Sequence, residues 1–317
     1  MKFKSLYLLL PILLTSCSTS KELNDKVFCF DSLTEVKLYQ GNKDDLSEIR
    51  SILNKLDKLT DNYQNRGINN VYTINQSDDD VEIDPSLYDL LTKSFNFNST
   101  VSNLFNPLCG NLAKKWKESL KTPQILDENV INEELLKINS SSLMFADNYK
   151  VKRIGEAEID LGAVAKGYAM DKVQEYLKNK EYKNYLINGG SSSLLLGEKK
   201  TKDGLFTVRI NKEIISNSSL KLKNCFVSTS ATYSQGVEIG GKTYSHIINP
   251  VDGSAISKHD AVMVISDQGY FGDALSTAMM MCSIDEIKQI ETTHNVKTIV
   301  FDNKQITYCN EGVEVYH

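Results

Sequence analysis

The sequence is poor in several residues and patterns that mark specialised classes of protein. Among its 317 residues are one tryptophan, five prolines and four histidines, and no stretch rich in proline or glycine divides the chain cleanly. The net charge is -5, and no cluster of lysine and arginine offers the basic surface that nucleic acid requires. We therefore expect a globular protein with no nucleic-acid partner.

Long apolar runs are also absent, except near the N-terminus. Lysines precede an apolar run over residues 8–14 that is too short to span a bilayer and has the flanks of a secretory signal. Residues 14–17 are similar to a bacterial lipobox, in which the cysteine is acylated; an ordinary cleaved signal peptide is the alternative. We predict a lipoprotein signal peptide over residues 1–16, lipidation at Cys17, and a lipidated polar tether over residues 17–26.

This lipid anchor would hold the protein at a membrane. Two or three acyl chains on Cys17 would give stable binding, because each buried methylene contributes roughly 0.8 kcal/mol. The expected location is the extracytoplasmic face of a bacterial cell membrane, on the periplasmic side where the host has two membranes.

The remaining five cysteines do not mark a metal site. Cys29, Cys109, Cys225, Cys282 and Cys309 have spacings that match no metal motif, and an odd number cannot all pair. An exported protein can hold a disulfide. Cys29, Cys225 and Cys282 lie in apolar sequence, however, so we expect buried thiols.

Residues 27–317 mix predicted helices and strands without strict alternation. Apolar residues at helical spacing predict a helix over residues 46–59, and residues 27–39 alternate loosely like one strand. Residues 139–153 are typical of a hairpin that leads into a strand before Asp160. No internal repeat is evident. The mixture favours an α+β fold over a doubly wound sheet.

The most informative stretch runs from Ile159 to Asp171. An apolar segment ends in Asp160, the chain breaks over small residues, and a helix begins through Lys166. Such an arrangement surrounds a helix N-terminus with a carboxylate, backbone N–H groups and a lysine, and phosphate binds readily there. The glycines of residues 187–191 would also let backbone N–H groups approach a ligand. A plain turn after a strand is the alternative for that second segment.

Two further clusters combine hydroxyl groups with histidine or aspartate. Residues 228–230 are Ser-Thr-Ser, and His246 lies in a polar segment, where it has either a structural or a catalytic role. Asp273 and Thr277 are four residues apart at a helix start, so their oxygens share one face. Asp273 could cap that helix. A carboxylate and a hydroxyl one turn apart also suit Mg²⁺, so the pattern leaves both roles open.

Together, and in this order, these clusters resemble the ApbE family of bacterial FAD:protein FMN transferases, many of which are exported lipoproteins. The resemblance runs from about Phe30 to the last strands. It implies a single mixed α+β domain of ApbE-like (T-fold-like) type over residues 27–317, with a division into two subdomains as an alternative. The matching segments are residues 160–168, 244–250 and 273–278, and more weakly 59–63 with Asn75 and 105–112 with Trp116.

Members of this family cleave the pyrophosphate of FAD and attach the FMN half to a protein threonine through a phosphoester bond, releasing AMP. The resemblance therefore implies FAD as the substrate and Mg²⁺ as the cofactor. It implies as acceptor a threonine in a short Ser/Thr-rich motif of exported or membrane electron-transfer flavoproteins. Hydrolysis of FAD to FMN and AMP, and flavin binding without turnover, are the alternatives.

The family's functional residues can be carried over position by position. Mg²⁺ would be held by the carbonyl oxygen of Ala163, by Asp273 and by Thr277. His246 matches a histidine that the family needs for activity, and it is our candidate general base. The nucleotide would be bound by Tyr63, Leu104, Phe105, Asn106, Asp160, Lys166 and Ile248.

Three positions depart from the family pattern. Asn249 stands where many members have aspartate, Ala231 where glycine is common, and Ser191 where an acidic or amide residue is frequent. None is a proposed metal ligand, so the departures concern the detailed shape of the flavin pocket.

Overall fold

The computed structural model describes residues 22–190, 192–233 and 236–317. No helix among them is both long and apolar enough to cross a membrane. The predicted signal peptide over residues 1–16, Cys17 and Ser191 lie outside the described residues. The helices are α1 (Lys43–Thr60), α2 (Val71–Asn75), α3 (Pro85–Thr100), α4 (Gly110–Lys121), α5 (Glu128–Ser140), α6 (Ala165–Asn179), α7 (Gly269–Met279) and α8 (Ile284–His294). The strands are β1 (Leu23–Cys29), β2 (Ser32–Leu38), β3 (Val81–Glu82), β4 (Ser142–Ala146), β5 (Lys150–Ile154), β6 (Tyr185–Gly189), β7 (Ser193–Leu196), β8 (Phe206–Arg209), β9 (Ser219–Leu222), β10 (Cys225–Ala231), β11 (Val237–Ile239), β12 (Lys242–Tyr244), β13 (Ala261–Ser266), β14 (Lys297–Asp302), β15 (Gln305–Cys309) and β16 (Val315–Tyr316).

An eight-stranded antiparallel sheet separates two hydrophobic cores. Its strand order is β1-β2-β6-β7-β10-β13-β14-β15. Helices α1, α6 and α7 pack on one face, and the small sheet β16-β9-β8 covers part of the other. Because neighbouring residues of a strand point to opposite faces, Phe226 belongs to the first core and Val227 to the second. The α+β class and the single domain are confirmed.

The sheet begins earlier than the sequence predicted. β1 starts at Leu23, so residues 23–26 belong to an edge strand rather than to the tether. Polar residues alternate there because one face of the edge strand is exposed. The single strand expected over residues 27–39 is also wrong. β1 and β2 form a hairpin that turns at Phe30 and Asp31, with φ of 51° and 53°.

The predicted helices agree well with those in the structure. The helix expected over residues 46–59 lies within α1. Asn42 and Asp45 form a capping box at the N-terminus of this helix. Pro85 opens α3 as its first residue, where a missing N–H costs nothing. The hairpin expected over residues 139–153 is formed by β4 and β5.

The segment before α6 is not a strand, contrary to the prediction. Ile159 is fully buried, and its backbone N–H and C=O groups pair with the side chain of Asn75, at 2.8 Å and 2.9 Å. The N–H of Asp160 donates to the carbonyl of Pro107 at 2.8 Å. The buried backbone is therefore satisfied by a side chain and a loop instead of a strand ladder.

The cysteine prediction is confirmed for the described residues. All five cysteines there are free, and Cys29, Cys225 and Cys282 are buried. Burial raises the pKa of the Cys225 thiol to about 12, which is typical of an inert structural cysteine.

Replacing Asn75 tests the anchoring of the segment before α6. We expect Asn75→Ala to lower the free energy of unfolding by about 2–4 kcal/mol, because two buried backbone groups would lose their partners. Urea denaturation measures this. The control is Asn69→Ala, which removes an exposed side chain with one hydrogen bond, to the Glu82 carbonyl, and should cost less than about 1 kcal/mol. Equal losses in the two variants would contradict the anchoring role.

Candidate active site

Three of the sequence clusters, residues 159–171, 228–230 and 273–277, meet together with Ser193 around the buried carboxylate of Asp273. Its Oδ1 accepts hydrogen bonds from the hydroxyls of Ser228 at 2.6 Å and Ser193 at 3.0 Å. Its Oδ2 accepts the backbone N–H of Gly167 at 2.7 Å. Asp273 is only 5% exposed, so β7, β10, α6 and α7 converge on one enclosed charge.

The possibility that Asp273 caps its own helix is wrong. Gln268 occupies the N-cap position of α7, and Asp273 lies inside the helix. Asp273 instead caps α6, because Gly167 is in the first turn of that helix. Val164, at the N-cap position of α6, makes no side-chain hydrogen bond to the helix. A carboxylate from another element therefore satisfies an N–H group that would otherwise lack a partner.

This contact requires glycine at position 167. A Cβ atom added there would overlap the carbonyl oxygen of Gly269 and would lie 2.8 Å from the Asp273 Cγ. The absence of a side chain lets the two helix starts touch through their backbones.

The charge of Asp273 is costly to bury. Burial raises its pKa above the ordinary value, while the bond from Ser228, the positive charge of Lys166 and the bonds from Gly167 and Ser193 lower it. Lys166 is half-buried at the start of α6, and its side chain passes Gly189. The site thus pairs an enclosed carboxylate with a nearby lysine at a helix N-terminus.

The oxygen atoms around Asp273 are suitable for Mg²⁺. The Thr277 hydroxyl donates to the Asp273 carbonyl at 3.1 Å and lies 3.3 Å from the Ser230 hydroxyl, so it faces β10 like the Asp273 carboxylate. Ala163 is exposed in the turn before α6. Across the described ranges, no three His, Cys, Asp or Glu residues are grouped to hold a metal. One carboxylate with neutral oxygens fits Mg²⁺, which commonly keeps several waters and binds phosphate.

His246 lies at an accessible part of the same region. The residue is exposed, and its ring makes no hydrogen bond within the part of the chain that the structure describes. Partial desolvation, followed by the positive charges of Lys166 and Lys117, lowers the pKa of His246. Solvent screens those charges because the residue keeps an exposed surface. The lowered pKa favours the uncharged imidazole, which can accept a proton.

Trp116 fixes the loop that carries His246. The indole Nε1 donates to the Gly253 carbonyl at 2.8 Å, and the ring stacks on Tyr244 with 5.8 Å between centroids. These contacts join α4 to both ends of the segment 244–253. Ile248, in the same segment, is half-buried.

Tyr63 presents an exposed aromatic ring beside two lysines. The Nζ atoms of Lys114 and Lys117 lie 5.2 Å and 5.1 Å from the ring centroid. The positive charge of Lys117 also lowers the pKa of His246, so Tyr63 and His246 lie toward the same part of the surface. This is consistent with the predicted role of Tyr63 in binding the nucleotide, which stays a prediction.

The predicted nucleotide loop is less uniform than expected. Phe105 is buried and packs edge-on against Phe97, with 5.4 Å between ring centroids, so it is part of the core. Leu104 and Asn106 are half-buried, and they are the members of the loop with accessible surface. Asp160 is also half-buried, and its Oδ1 accepts the N–H of Gly162 at 2.6 Å, which shapes the turn before α6.

Two of the three departures from the family pattern make no hydrogen bond to Asp273. The Asn249 Oδ1 accepts the N–H of Val251 at 3.0 Å, a bond that an aspartate oxygen would make equally well. Ala231 is the last residue of β10 and pairs with Ala261. Ser191 lies outside the described residues.

Two residues of the site, Ser193 and Lys117, were not identified from the sequence, and Ser228 was identified only as part of the Ser-Thr-Ser segment. Ser193 and Ser228 bind the Asp273 carboxylate, and Lys117 contributes positive charge near His246. A signal for Ser228 was present, because Ser228 and Ser230 are two apart on a strand and so share one face. Lys117 has no comparable signal.

The protein is an α+β protein in which a buried carboxylate lies between two helix starts. Residues 30–300 match the ApbE family. Since that match covers most of the chain, the protein belongs to the ApbE family.

Two relatives and one solved structure illustrate the likeness. The FAD:protein FMN transferase of Rhodobacter capsulatus is 25% identical over 224 residues, 69% of this chain and 43% of the relative. That of Klebsiella pneumoniae (strain 342) is 28% identical over 189 residues, 57% of this chain and 58% of the relative. The chain thus spans about half the length of these relatives. The ApbE protein of Thermotoga maritima msb8 shares the fold, with a TM-score of 0.78, 20% identity, and coverage of 92% of this chain and 97% of that one.

The buried charge of Asp273 gives a prediction about stability and pH. Because its folded-state pKa is raised, its stabilising contribution is present below the unfolded value of about 3.9 and is lost as pH rises. We expect Asp273→Asn, without Mg²⁺, to raise the Tm at pH 8 by roughly 2–4 °C and to have almost no effect at pH 4. Thermal unfolding by circular dichroism measures both.

Asp45 supplies the control of opposite sign. Burial alone would raise its pKa, but the hydroxyl of Tyr176, the N–H of Asn42 and the hydroxyl of Tyr182 lower it overall. Asp45→Asn should therefore lower the Tm at pH 8. A lower Tm for Asp273→Asn at pH 8 would contradict our view of its buried charge.

Proposed function

We propose that the protein is a Mg²⁺-dependent FAD:protein FMN transferase. It cleaves the pyrophosphate of FAD, attaches FMN through a phosphoester bond to a threonine of target flavoproteins, and releases AMP. The observation that carries this proposal is the enclosed Asp273 carboxylate, beside Lys166 and the start of α6. Membership of the ApbE family and the names of the relatives support it.

The start of α6 is suited to binding the pyrophosphate. Backbone N–H groups of the first turn and the Lys166 ammonium attract anionic oxygens. Mg²⁺, held by the Ala163 carbonyl, Asp273 and Thr277, would neutralise charge on the phosphates when bound. In-line phosphoryl transfer needs little from the protein beyond such positioning and charge neutralisation.

His246 would activate the acceptor. Its neutral imidazole takes the proton of the threonine hydroxyl as the threonine oxygen bonds to the FMN-side phosphorus. The bridging P–O bond breaks, and its electron pair leaves with the AMP phosphate. The exposed position of His246 supports this role, because a threonine on another protein must reach it.

The remaining proposed contacts concern the nucleotide and the location of the reaction. Tyr63, Asp160 and Ile248, with the accessible parts of the 104–106 loop, would contact FAD. Lipidation at Cys17 would keep the enzyme on the extracytoplasmic face of the membrane, near exported or membrane electron-transfer flavoproteins.

Removal of the Asp273 carboxylate tests the metal role. Incubation with FAD, Mg²⁺ and an acceptor domain should give AMP and a flavin-labelled acceptor in equal amounts. We expect Asp273→Ala to lower AMP release by more than about 100-fold while weakening FAD binding much less. The reason is that AMP release depends on the metal that Asp273 would hold, whereas FAD is also bound by other residues. Asp45→Asn serves as a buried-carboxylate control away from the site.

Two outcomes would refute parts of the proposal. Undiminished turnover by Asp273→Ala would exclude the metal assignment. AMP formed without flavin on the acceptor, even with excess acceptor, would identify the protein as an FAD pyrophosphatase in which water replaces the threonine.

His246 is tested by substitution and by pH. His246→Ala should lower kcat for flavin transfer by about 10²- to 10⁴-fold, the usual contribution of a general base. In the wild type, the acid limb of kcat/KM should lie below the ordinary histidine value of about 6.5, because the His246 pKa is lowered. That limb should vanish in the variant. Near-normal transfer by folded His246→Ala would remove His246 from the mechanism.

A further inference from the structure

Helices α6 and α7 begin with the same short pattern. Gly167-Tyr168 is followed by Asp171, and Gly269-Tyr270 is followed by Asp273, so each helix has Gly-Tyr-x-x-Asp in its first turns. Three matching residues within five positions are too few to stand out as a repeat over a sequence of this length. The structure brings the two copies together.

Each aspartate caps the other helix. The Asp171 carboxylate accepts the N–H of Gly269 at 2.6 Å and the N–H of Tyr270 at 2.9 Å. The Asp273 carboxylate accepts the N–H of Gly167 at 2.7 Å. Neither helix has a side-chain hydrogen bond from its own N-cap residue. The two helix starts therefore depend on each other for capping.

The glycines and tyrosines complete this reciprocal contact. A Cβ atom added to Gly167 or to Gly269 would overlap the carbonyl oxygen of the other. The Tyr168 hydroxyl donates to Asp89 at 2.8 Å, and the Tyr270 hydroxyl donates to the carbonyl of Lys93 at 3.1 Å. Both tyrosines thus attach to α3, one turn apart.

The two aspartates have different surroundings. Asp273 also binds Ser193 and Ser228 and faces the site, whereas the hydrogen bonds that Asp171 makes are to the start of α7. Burial raises the pKa of Asp171 to about 6; the bonds from Tyr270 and Gly269 lower it, the charge of Asp273 raises it, and that of Lys93 lowers it. The protein thus keeps two carboxylates close together despite their mutual repulsion.

We propose that Asp171 is a positioning residue for the metal-binding face of α7. By fixing the first turn of α7, it sets where Asp273 and Thr277 stand. Because Asp273 in turn caps α6, the same contact sets the helix start that carries Lys166. This inference rests on the proposed function for its catalytic consequence, but the coupling between the helices can be tested without it.

Hydrogen exchange in the ligand-free protein tests the coupling directly. In Asp171→Asn, an amide group faces two N–H donors with a single acceptor oxygen, so the first turn of α7 should open more often. We expect exchange to accelerate by roughly tenfold or more at residues 269–273 and also at residues 165–168, since a buried donor would lose its partner. Mass spectrometry of peptides from these segments measures both.

Asp45→Asn is the matched control for lost stability. It removes another buried carboxylate that caps a helix and accepts two tyrosine hydroxyls, but it contacts neither helix start. Its exchange should be unchanged at residues 165–168 and 269–273. If Asp171→Asn does not fold, Asp171→Ser keeps one acceptor oxygen and should show a smaller acceleration in the same two segments.

The catalytic consequence is measured with Mg²⁺ and FAD. Asp171→Asn should raise the Mg²⁺ concentration for half-maximal AMP release by roughly tenfold and lower kcat, while KM for FAD changes by less than about threefold. Calorimetric titration of FAD with and without Mg²⁺ should show a smaller effect of the metal than in the wild type. Asp45→Asn should resemble the wild type in each measurement.

The outcomes separate this inference from the proposed function. A wild type that releases no AMP would refute the proposed function, and the exchange result would still decide whether Asp171 couples the helices. Faster exchange at residues 269–273 alone, or an unchanged Mg²⁺ requirement in an active enzyme, would overturn the positioning role.

Discussion

One enclosed negative charge holds the site together. The Asp273 carboxylate is the common acceptor for a helix N-terminus and for hydroxyls from two strands, so its position fixes the relative placement of α6, α7, β7 and β10. Three hydrogen bonds and a lysine only partly offset the cost of its burial. A carboxylate buried at such a cost is a common sign of function. Here the same atoms would serve both the architecture and the reaction.

The parts of the fold that were predictable from sequence depend on local signals. Pro85 at the first position of α3 and the apolar spacing of α1 act within a few residues. The hairpin of β1 and β2 was not predicted because its turn consists of Phe30 and Asp31. Two-residue turns with positive φ are usually recognised by an Asn-Gly sequence. The apolar segment at Ile159 predicts a strand, but its apolar character reflects burial, and its backbone is paired with the side chain of Asn75.

In the candidate site, too, the residues with local sequence signals were predicted and the contacts made by packing were not. Lys166 was found because it stands at a helix start after small residues, and Asp273 and Thr277 were found because a carboxylate and a hydroxyl four residues apart share one helix face. The contact of Asp273 with Gly167 was not predicted. The rules for helix capping concern residues of the same helix, and Asp273 caps a different one. Lys117 follows the only tryptophan on an otherwise ordinary helix, and its nearness to His246 depends on how α4 packs. Contacts of this kind are a property of the packed chain.

The early start of β1 has a consequence for where the protein can act. If Cys17 carries the lipid, only five residues separate it from Leu23, the first residue of an edge strand. A chain that short reaches at most about 20 Å even when fully extended. The domain would then stay against the bilayer surface, and access to its candidate site would be limited to polypeptides that come close to that surface. The length of the segment between Cys17 and Leu23, as much as any recognition motif, would then determine which acceptors are reached.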